Sequence, residues 1–395
     1  MHPRTALAVS LDVLAAVASA APAAPRTRTV ATQVGTVRQL VQGDRYVAWT
    51  RCLSPKGPTE VWAARRTGGR PVRVRGIRAA GQCEQVRLIG AYRNQVVTLI
   101  RGKSGLQRLD AVNVRTGRRA LLEAETEPAS GFRIVDADTA GPRVVWIREI
   151  GAGDARVSET VVGDLRAPAV GTYAGAPRRV VYTRSMRWRA VEPRAVWIAP
   201  GGAVVVREQV SGAMYGYGTG ADRLTQVLAG GRTRTVARTI DGLDIAGADV
   251  SARFVAYTVL HAASGRVWMY TLDRRTGRRR LVRRLRVPAR VPGYAPAVPV
   301  GRLEGPRLIW RERLRVRSGY RDRVLVRNLR TGRVGLVARV DDSRGQRAFV
   351  GPPTLVSRRA AWAQLVLPTA EGPAGGYYGL SPAGAQARIL TAIVR

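Results

Sequence analysis

The chain has 395 residues and a formal net charge of +39, because 66 lysines and arginines stand against only 27 aspartates and glutamates. Only two cysteines and two histidines are present, which excludes a cysteine-rich disulfide scaffold and a zinc site built from several cysteine and histidine ligands. No apolar run long enough to cross a bilayer follows the first 20 residues, and no helical periodicity is visible, so we expect one β-rich domain without a membrane span.

The first 20 residues are predicted to form a secretory signal peptide. His2 and Arg4 provide a basic start, residues 6–17 are apolar, and Ala18-Ser19-Ala20 fits the small-residue cleavage pattern. The alternative is a disordered alanine-rich leader. Residues 21–28 are predicted to be a linker, and residues 29–395 to be the folded domain. We therefore expect the protein to be secreted or to reside in the cell envelope.

The two cysteines, Cys52 and Cys83, are predicted to form a disulfide, which is the usual state of a cysteine pair in an exported chain. Such a bridge closes a loop of about 30 residues and stabilises the fold by roughly 3 kcal/mol in the chain-entropy model. The alternative is a pair of buried, unlinked thiols.

A short Arg-Thr-Gly turn recurs along the chain and defines a repeat. Its glycines are Gly68, Gly117, Gly277 and Gly332, and degenerate copies are predicted at Gly163-Asp164, Thr219-Gly220 and Gly384. Glycine suits such a turn because it adopts positive φ without a Cβ clash. The preceding Asn113, Asp273 and Asn328 can accept hydrogen bonds from the backbone two residues further on.

A second signal precedes most of these turns by about 20 residues, and it is an apolar strand that often carries a large aromatic side chain. Its central residues are Trp49, Thr98, Trp146, Val205, Tyr257, Trp310 and Trp362. Seven strands and seven turns with a period of about 50 residues are typical of a β-propeller. We predict an all-β protein with seven blades of four antiparallel strands; six or eight blades are the alternatives.

The hexapeptide Arg-Thr-Arg-Thr-Val-Ala occurs twice, starting at Arg26 and at Arg232. In the phase of the repeat, the first copy belongs to the blade before the first, which in a closed ring is the last blade. This pattern predicts that an N-terminal strand completes the C-terminal blade. The alternative is a coincidence in a sequence rich in arginine and threonine.

The least regular part of the sequence spans residues 172–203, where arginines alternate with aromatic residues. Long excursions on a rigid scaffold often carry binding surfaces. The candidate binding surface consists of Arg184, Arg187, Trp188, Arg189 and Trp197. Arginine together with aromatic residues suits a polyanion or a sugar. The alternative is an imperfect blade with ordinary outward-facing arginines.

Motifs for catalysis are scarce, so the sequence predicts no enzyme, no cofactor and no metal site. A Ser-His-Asp triad would need His261, and neither a G-x-S-x-G elbow nor a phosphate-binding loop occurs. A pair of carboxylates could nevertheless cleave glycans without any local motif. The candidate acids are Asp136, Asp138, Asp241, Asp244, Asp249, Asp341 and Asp342. Acids with perturbed pKa values that converge on the central channel would favour an enzyme over a non-catalytic binding propeller.

The repeat resembles the TolB-type, WD40-like propeller repeats of exported bacterial proteins. Tyr257, Asp273 and Gly277 fit the plan of that repeat in one copy, and Trp310, Asn328 and Gly332 fit it in another. The resemblance implies a non-catalytic, protein-binding or scaffold propeller of the cell envelope. The high charge adds the alternative of an anionic glycan or another polyanion bound through an arginine-rich face. We expect a monomer whose partner is a protein or an anionic envelope polymer, without specific nucleic-acid recognition.

Overall fold

The described strands of the computed structural model form seven antiparallel sheets, six of four strands and one of five. The structure describes residues 26–34, 36–52, 58–77, 85–102, 106–125, 131–152, 155–166, 178–186, 191–210, 221–240, 242–287, 298, 300–317, 319–342, 346–368 and 386–394. Each sheet is one blade of a seven-bladed β-propeller, as the repeat predicts. In six blades the strands follow chain order from the central axis outwards, and in the seventh the N-terminal strand is the outermost.

The first three blades have the following strands. Blade 1 contains β2 (Thr36–Gln42), β3 (Tyr46–Cys52), β4 (Thr59–Arg65) and β5 (Val72–Arg73). Blade 2 contains β6 (Val86–Tyr92), β7 (Gln95–Arg101), β8 (Gln107–Asn113) and β9 (Arg119–Ala124). Blade 3 contains β10 (Arg133–Ala140), β11 (Arg143–Ile150), β12 (Val157–Asp164) and β13 (Arg178–Ser185).

The remaining blades continue in the same order. Blade 4 contains β14 (Val191–Ile198), β15 (Val204–Val210), β16 (Ala221–Val227) and β17 (Thr233–Arg238), with the short 3₁₀ turn Ala229–Gly231 before β17. Blade 5 contains β18 (Leu243–Val250), β19 (Phe254–His261), β20 (Arg266–Asp273) and β21 (Arg279–Arg286). Blade 6 contains β22 (Arg302–Glu304), β23 (Arg307–Val316), β24 (Gly319–Asn328) and β25 (Val334–Asp341). Blade 7 contains β26 (Gln346–Val350), β27 (Thr354–Val356), β28 (Arg359–Pro368) and β29 (Gln386–Ile393).

An N-terminal strand, β1 (Thr27–Val34), closes the ring by pairing antiparallel with β29 in blade 7. It begins inside the segment predicted to be a linker. Both copies of the repeated hexapeptide therefore lie in outermost strands, the first in β1 and the second in β17. The prediction that the N-terminal copy completes the last blade is confirmed. Closure removes the free strand edges that an open array of blades would expose.

The second strand of every blade forms the core, because both of its faces pack against neighbouring blades. All seven predicted marker residues lie in these second strands, and each is at most 2% exposed: Trp49, Thr98, Trp146, Val205, Tyr257, Trp310 and Trp362. Removing a large aromatic side chain from water stabilises a fold by about 3 kcal/mol. Large buried side chains at the equivalent position of most blades thus stabilise the packing between blades, although the mean hydropathy of the chain is modest.

The Thr-Gly turns connect the third and fourth strands of four blades, as predicted. Gly117, Gly277 and Gly332 have φ values of +71°, +71° and +76°. Asn113 Oδ1 accepts a hydrogen bond from Arg115 N at 2.9 Å, and the corresponding bonds at Asp273 and Asn328 are 3.0 Å long. Glycine is required at these positions because a side chain strains the backbone at positive φ.

Of the three degenerate copies, the turn predicted at Gly163-Asp164 does follow the third strand of its blade, whereas the positions predicted at Gly220 and Gly384 are wrong, although the blade count is right. Gly163 lies inside β12, against Trp146, and the turn residue at this site is Asp164, whose Oδ1 accepts from Arg166 N at 2.8 Å. Gly220 and Gly384 lie outside the described residues, and in chain order they precede the third strand rather than follow it. The error arose because any Gly with a polar neighbour resembles this turn in a sequence rich in glycine.

The innermost strands of blades 1 to 5 have a β-bulge or a similar register shift, which the sequence did not predict. One residue is left out of the pairing register between Leu88 and Gly90 in β6, between Ile134 and Asp136 in β10, and between Ile245 and Gly247 in β18; β2 and β14 have comparable register shifts. A bulge twists the strand and redirects the side chains that follow it. The residues after the bulge therefore differ in direction from those of a regular strand.

The glycines after two of these bulges allow adjacent inner strands to approach closely. A Cβ atom at Gly90 would lie 1.6 Å from Thr139 Oγ1, and one at Gly247 would lie 2.8 Å from Val300 Cγ1. Neither distance is compatible with van der Waals packing. The inner ring is consequently narrow at these points, and it holds neighbouring blades together through direct contact.

Some of the many arginine side chains lie between the blades, where buried glutamates bind them. Glu312 accepts hydrogen bonds from Arg283, Arg323 and Trp310 Nε1, at distances between 2.7 and 3.3 Å. Glu208 occupies the comparable position in the second strand of blade 4, whereas Glu123 lies on the outermost strand of blade 2 and faces blade 3; each has two arginine partners. Removing one member of such a buried group leaves an uncompensated charge and costs about 3–5 kcal/mol. These arginines are structural.

Several predictions concern residues outside the described part of the chain. Cys52 ends β3 and is almost fully buried, whereas Cys83 lies outside the described residues, so the disulfide stays a prediction. Residues 1–25 are also outside, and the signal peptide stays a prediction as well. Within the described ranges, no helix has the length and apolar character that a membrane crossing requires.

Candidate active site in the axial channel

The innermost strands of all seven blades surround a cavity of about 540 Å³ at the centre of the ring. Its wall comes from the C-terminal ends of β2, β6, β10, β14, β18, β22 and β27 and from the connections to the second strands. Rigid strand ends that converge on one cavity are a frequent setting for ligand sites. The polar residues of this wall therefore define the candidate site.

Two carboxylates and one guanidinium meet in this cavity. Arg302 Nη1 lies 3.9 Å from Asp138 Oδ1 and 4.0 Å from Asp249 Oδ1. Because both oxygens lie so close to one nitrogen, they are at most about 8 Å apart. The three residues come from blades 3, 5 and 6, and each is near the end of an inner strand. The two acids are among those the sequence proposed.

Each aspartate is held in place by the backbone of the neighbouring blade. Asp138 Oδ2 accepts a hydrogen bond from Ile198 N at 3.0 Å, and Asp249 Oδ2 accepts one from Leu303 N at 2.6 Å. In both residues the second oxygen, Oδ1, faces Arg302. One oxygen of Asp138 is thus structural, and the other is directed towards the guanidinium in the cavity. In Asp249 the oxygen that faces Arg302 also accepts a hydrogen bond from Val250 N at 2.9 Å.

A third acid, Asp136, lies two residues before Asp138 on β10. Its Oδ2 accepts from Val196 N at 2.8 Å, and its Oδ1 is paired with Arg87. Both oxygens are therefore engaged in contacts between blades. Asp136 contributes negative charge near Asp138, and it is a structural link rather than an acid available for chemistry.

Burial raises the pKa of Asp138 to about 7; Arg302 acts in the opposite direction, and the negative charge of Asp249 adds to the rise. Burial also raises the pKa of Asp249, against the effect of Arg302 and of two backbone hydrogen bonds. Burial lowers the pKa of Arg302, but Asp249 and Asp138 outweigh it and leave that pKa above its ordinary value. A carboxyl with a pKa near 7 is suited to proton transfer at neutral pH.

The Arg302 guanidinium remains available for a ligand. Its side chain is 42% exposed to the cavity, and it stands at ion-pair rather than hydrogen-bond distance from both aspartates. Among the described residues, no acceptor lies within hydrogen-bond distance of its N–H groups. The buried Nε2 of Gln42, which also lines the cavity, has no hydrogen-bond partner in the described part either.

The other candidate acids do not join this group. Asp244 is exposed at the far end of β18, and Asp241 lies outside the described residues. Asp341 belongs to the outermost strand of blade 6 and is paired with Arg321 and Arg339. Asp342 accepts hydrogen bonds from Tyr320 N and Ala348 N. In the described ranges, no group of three or more His, Cys, Asp or Glu residues could hold a metal ion.

The candidate binding surface predicted around residue 184 is distributed over two blades. Arg184 belongs to the outermost strand of blade 3 and lies 3.9 Å from Glu208 Oε1. Trp197 belongs to the innermost strand of blade 4 and is 9% exposed within the core between blades 4 and 5. Arg187, Trp188 and Arg189 lie outside the described residues. The surface as a whole stays a prediction.

Sequence reasoning missed Arg302, which unites the two carboxylates. The residue occurs in a short segment, Gly-Arg-Leu-Glu, directly before the apolar strand β23, and one arginine among more than sixty carries no distinguishing signal. Arg302 has the same place in its repeat as Asp138 and Asp249 have in theirs, and that alignment would have assigned it to an inner strand. Its short distance to the two aspartates arises only when the ring of blades closes.

No family model and no curated protein sequence matches the chain. Solved structures do match. A prolyl endopeptidase is 10% identical, with a TM-score of 0.52, over 90% of this chain and 50% of that protein. An oligogalacturonate lyase in complex with manganese is 10% identical, with a TM-score of 0.49, over 93% of this chain and 98% of that one. Oligopeptidase B from Trypanosoma brucei is 12% identical, with a TM-score of 0.47, over 85% and 45%. The chain spans about half the length of the peptidases.

These likenesses correct the main functional interpretation drawn from the sequence. The chain was expected to be a non-catalytic, protein-binding scaffold because its repeat resembles TolB-type propellers, but the prolyl endopeptidase, whose TM-score exceeds 0.5, is an enzyme. That interpretation is wrong. At about 10% identity the likeness assigns no activity to this chain. It shows that the chain is a seven-bladed β-propeller, the architecture that its repeat predicts.

Proposed function

We propose that the protein is a glycan-cleaving enzyme that acts on an anionic polysaccharide in its axial channel. The observation that carries the proposal is the convergence of Asp138 and Asp249 on Arg302 inside one cavity. Glycan hydrolysis uses two carboxyl groups on either side of the scissile bond, separated by about 5–9.5 Å. The upper limit of about 8 Å between these two carboxylates is compatible with that range.

The two aspartates have different roles in this proposal. Asp138, with a pKa of about 7, is the general acid that protonates the leaving glycosidic oxygen. Asp249 accepts two backbone N–H groups, from Val250 and Leu303, whereas Asp138 accepts one. Hydrogen bonds to a carboxylate favour its ionised form. Asp249 is therefore the base or nucleophile of the pair.

Arg302 gives the site its preference for an anionic substrate. A guanidinium binds a carboxylate or sulfate through two parallel N–H bonds, and the exposed part of Arg302 faces the cavity. The positive field of the whole chain, with a net charge of +39, attracts such a polymer from solution. Export by the predicted signal peptide is consistent with this proposal, because it brings the protein to polysaccharides of the envelope or the surroundings.

Turnover on a panel of polysaccharides tests the proposal. The purified full chain is incubated with polygalacturonate, alginate, hyaluronan and neutral amylose between pH 5 and pH 8, and new reducing ends are measured. We expect cleavage of at least one anionic substrate and none of amylose. Since the general acid must be protonated, kcat should fall as the pH rises above about 7.

Matched variants show whether turnover depends on the two channel aspartates or changes with any aspartate-to-asparagine substitution. Asp138→Asn and Asp249→Asn should each lower kcat by about 10²–10⁴-fold, because an amide can neither donate the proton nor attack. Arg302→Lys should raise KM more than it lowers kcat. Asp341→Asn on the outermost strand of blade 6 is the control and should leave turnover unchanged. Absence of cleavage on the whole panel, or full activity of Asp138→Asn, would refute the proposal.

A further inference from the structure

The outer strand β21 of blade 5 differs from every other outer strand in its charge. Five of its eight residues are arginines, whereas β13 has three and the outer strands of the other blades have one or two. In β13, two of the three arginines pair with glutamates. In β21 only Arg283 pairs with a described carboxylate. Charges that merely prevent edge-to-edge pairing would not need this density.

Three exposed arginines surround one aromatic side chain on a single face of this blade. Antiparallel pairing places Arg266 of β20 opposite Arg286 of β21, and Trp268 opposite Arg284. Opposite residues share a face and have Cβ atoms about 5 Å apart. Alternate residues along a strand are about 6.6 Å apart on that same face. We name Arg266, Trp268, Arg284 and Arg286 the basic edge.

The basic edge is open and electrostatically unbalanced. Its three arginines are exposed and have no ion-pair partner among the described residues, and Trp268 is half-buried against the core between blades 4 and 5. Placing like charges directly opposite each other, as in Arg266 and Arg286, opposes folding by a few tenths of a kcal/mol to about 1 kcal/mol. An anionic ligand would relieve that repulsion.

The basic edge lies at the end of the ring opposite the mouth of the axial cavity. Arg266 starts β20 and Arg286 ends β21, in the same row as His261 at the end of β19. The cavity is lined instead by the region around Asp249, at the other end of the antiparallel blade. The two sites are therefore separate, and a ligand at one does not contact the other.

We infer that the basic edge binds an anionic polysaccharide chain, independently of the axial carboxylates. The three guanidinium groups match carboxylate or sulfate substituents on successive sugars, and the single half-exposed indole offers an apolar surface to one sugar ring. Single-stranded nucleic acid fits less well, because it requires several aromatic platforms for successive bases. The next aromatic residue, Tyr270, is covered by the Arg279 guanidinium, whose carbon lies 3.8 Å above its ring centroid.

Binding of fluorescein-labelled polygalacturonate to the full chain, followed by fluorescence anisotropy, tests this inference. The variant Arg266→Gln/Arg284→Gln/Arg286→Gln should bind about tenfold more weakly at 100 mM salt, with a shallower dependence on salt, because three counterion-releasing contacts are lost. The matched control is Arg115→Gln/Arg118→Gln/Arg119→Gln in blade 2. These residues are also exposed and without ion pairs in the described part, and the change in net charge is the same. Its affinity should change less than twofold.

Two further measurements separate the possible outcomes. Both triple variants are also measured in an Asp138→Asn background, in which the labelled polymer is not cleaved, so that loss of catalysis and loss of binding at the edge are distinguishable. Equal weakening by both triple variants would show that the net charge alone attracts the polymer, and would overturn the inference. A single-stranded oligonucleotide that binds more tightly than polygalacturonate, with the same sensitivity to the blade 5 variant, would overturn the choice of ligand.

Discussion

Replacing Asp138 by asparagine should remove a pH-dependent loss of stability that the wild-type protein carries. Asp138 is 8% exposed and accepts a backbone hydrogen bond from Ile198 N. Asparagine has nearly the same shape and can accept that bond through its own oxygen. The substitution therefore removes the ionisable group while it keeps the link between blades 3 and 4. Asparagine also represents the neutral form of the aspartic acid.

The direction of the effect follows from the raised pKa of Asp138, about 7 in the folded protein against an ordinary value of 3.8. Between these values the folded state binds more protons than the unfolded state, so the free energy of unfolding falls as the pH rises. The stabilisation is complete below about pH 3.8 and is lost as the pH passes through 7. Two pH units, from 5 to 7, correspond to about 2.7 kcal/mol, at about 1.36 kcal/mol per unit.

Urea unfolding at pH 5 and pH 8 measures this loss. Other buried acids with raised pKa values, such as Asp110, Asp222 and Asp322, also lower the stability of the wild type as the pH rises. They are present in both proteins, so their contributions cancel in the difference between wild type and Asp138→Asn, which reports Asp138 together with its effect on the neighbouring Asp249. The variant should gain about 2–3 kcal/mol relative to the wild type between pH 5 and pH 8. A difference that is the same at both pH values would refute a buried, neutral Asp138.

The remaining predictions concern the ring itself. Gly90→Ala should lower the free energy of unfolding by about 1–3 kcal/mol, because its Cβ would overlap the Thr139 side chain; Gly201→Ala, with no atom within 4 Å of the new Cβ, should be neutral in the same urea titration. Val30→Asp should lower the thermal midpoint sharply, since it places an unpaired charge in the closure between β1 and β29. Thr29→Asp, exposed on the same strand, should not, and equal shifts would contradict the closure.

The number of blades and the placement of their core residues could be predicted from the sequence because they depend on local patterns. A buried second strand requires a run of apolar residues in each blade, and its repetition at about 50 residues is visible without coordinates. The closing strand β1 was predictable for the same reason, since its hexapeptide repeats in β17. The turns placed at Gly220 and Gly384 were not, because glycine near a polar residue is common throughout this sequence.

The candidate site could be predicted only in part. Asp138 and Asp249 were among seven candidate acids, but nothing in their neighbours separates them from Asp244 or Asp341. The β-bulges of β10 and β18 redirect the strands that carry the two acids, and their only sequence signal is Gly247 in β18, since no glycine follows the bulge in β10.

Sequence by itself determined which residues form strands, how many blades they make and which side chains form the core, because each blade repeats the same alternation of apolar residues. Only the tertiary structure decided that Asp138, Asp249 and Arg302 share one cavity. These residues belong to three different blades, and their distances are set by the closure of the ring rather than by their spacing along the chain. The burial that shifts the pKa of Asp138 exists only after the seven inner strands have met around the axis.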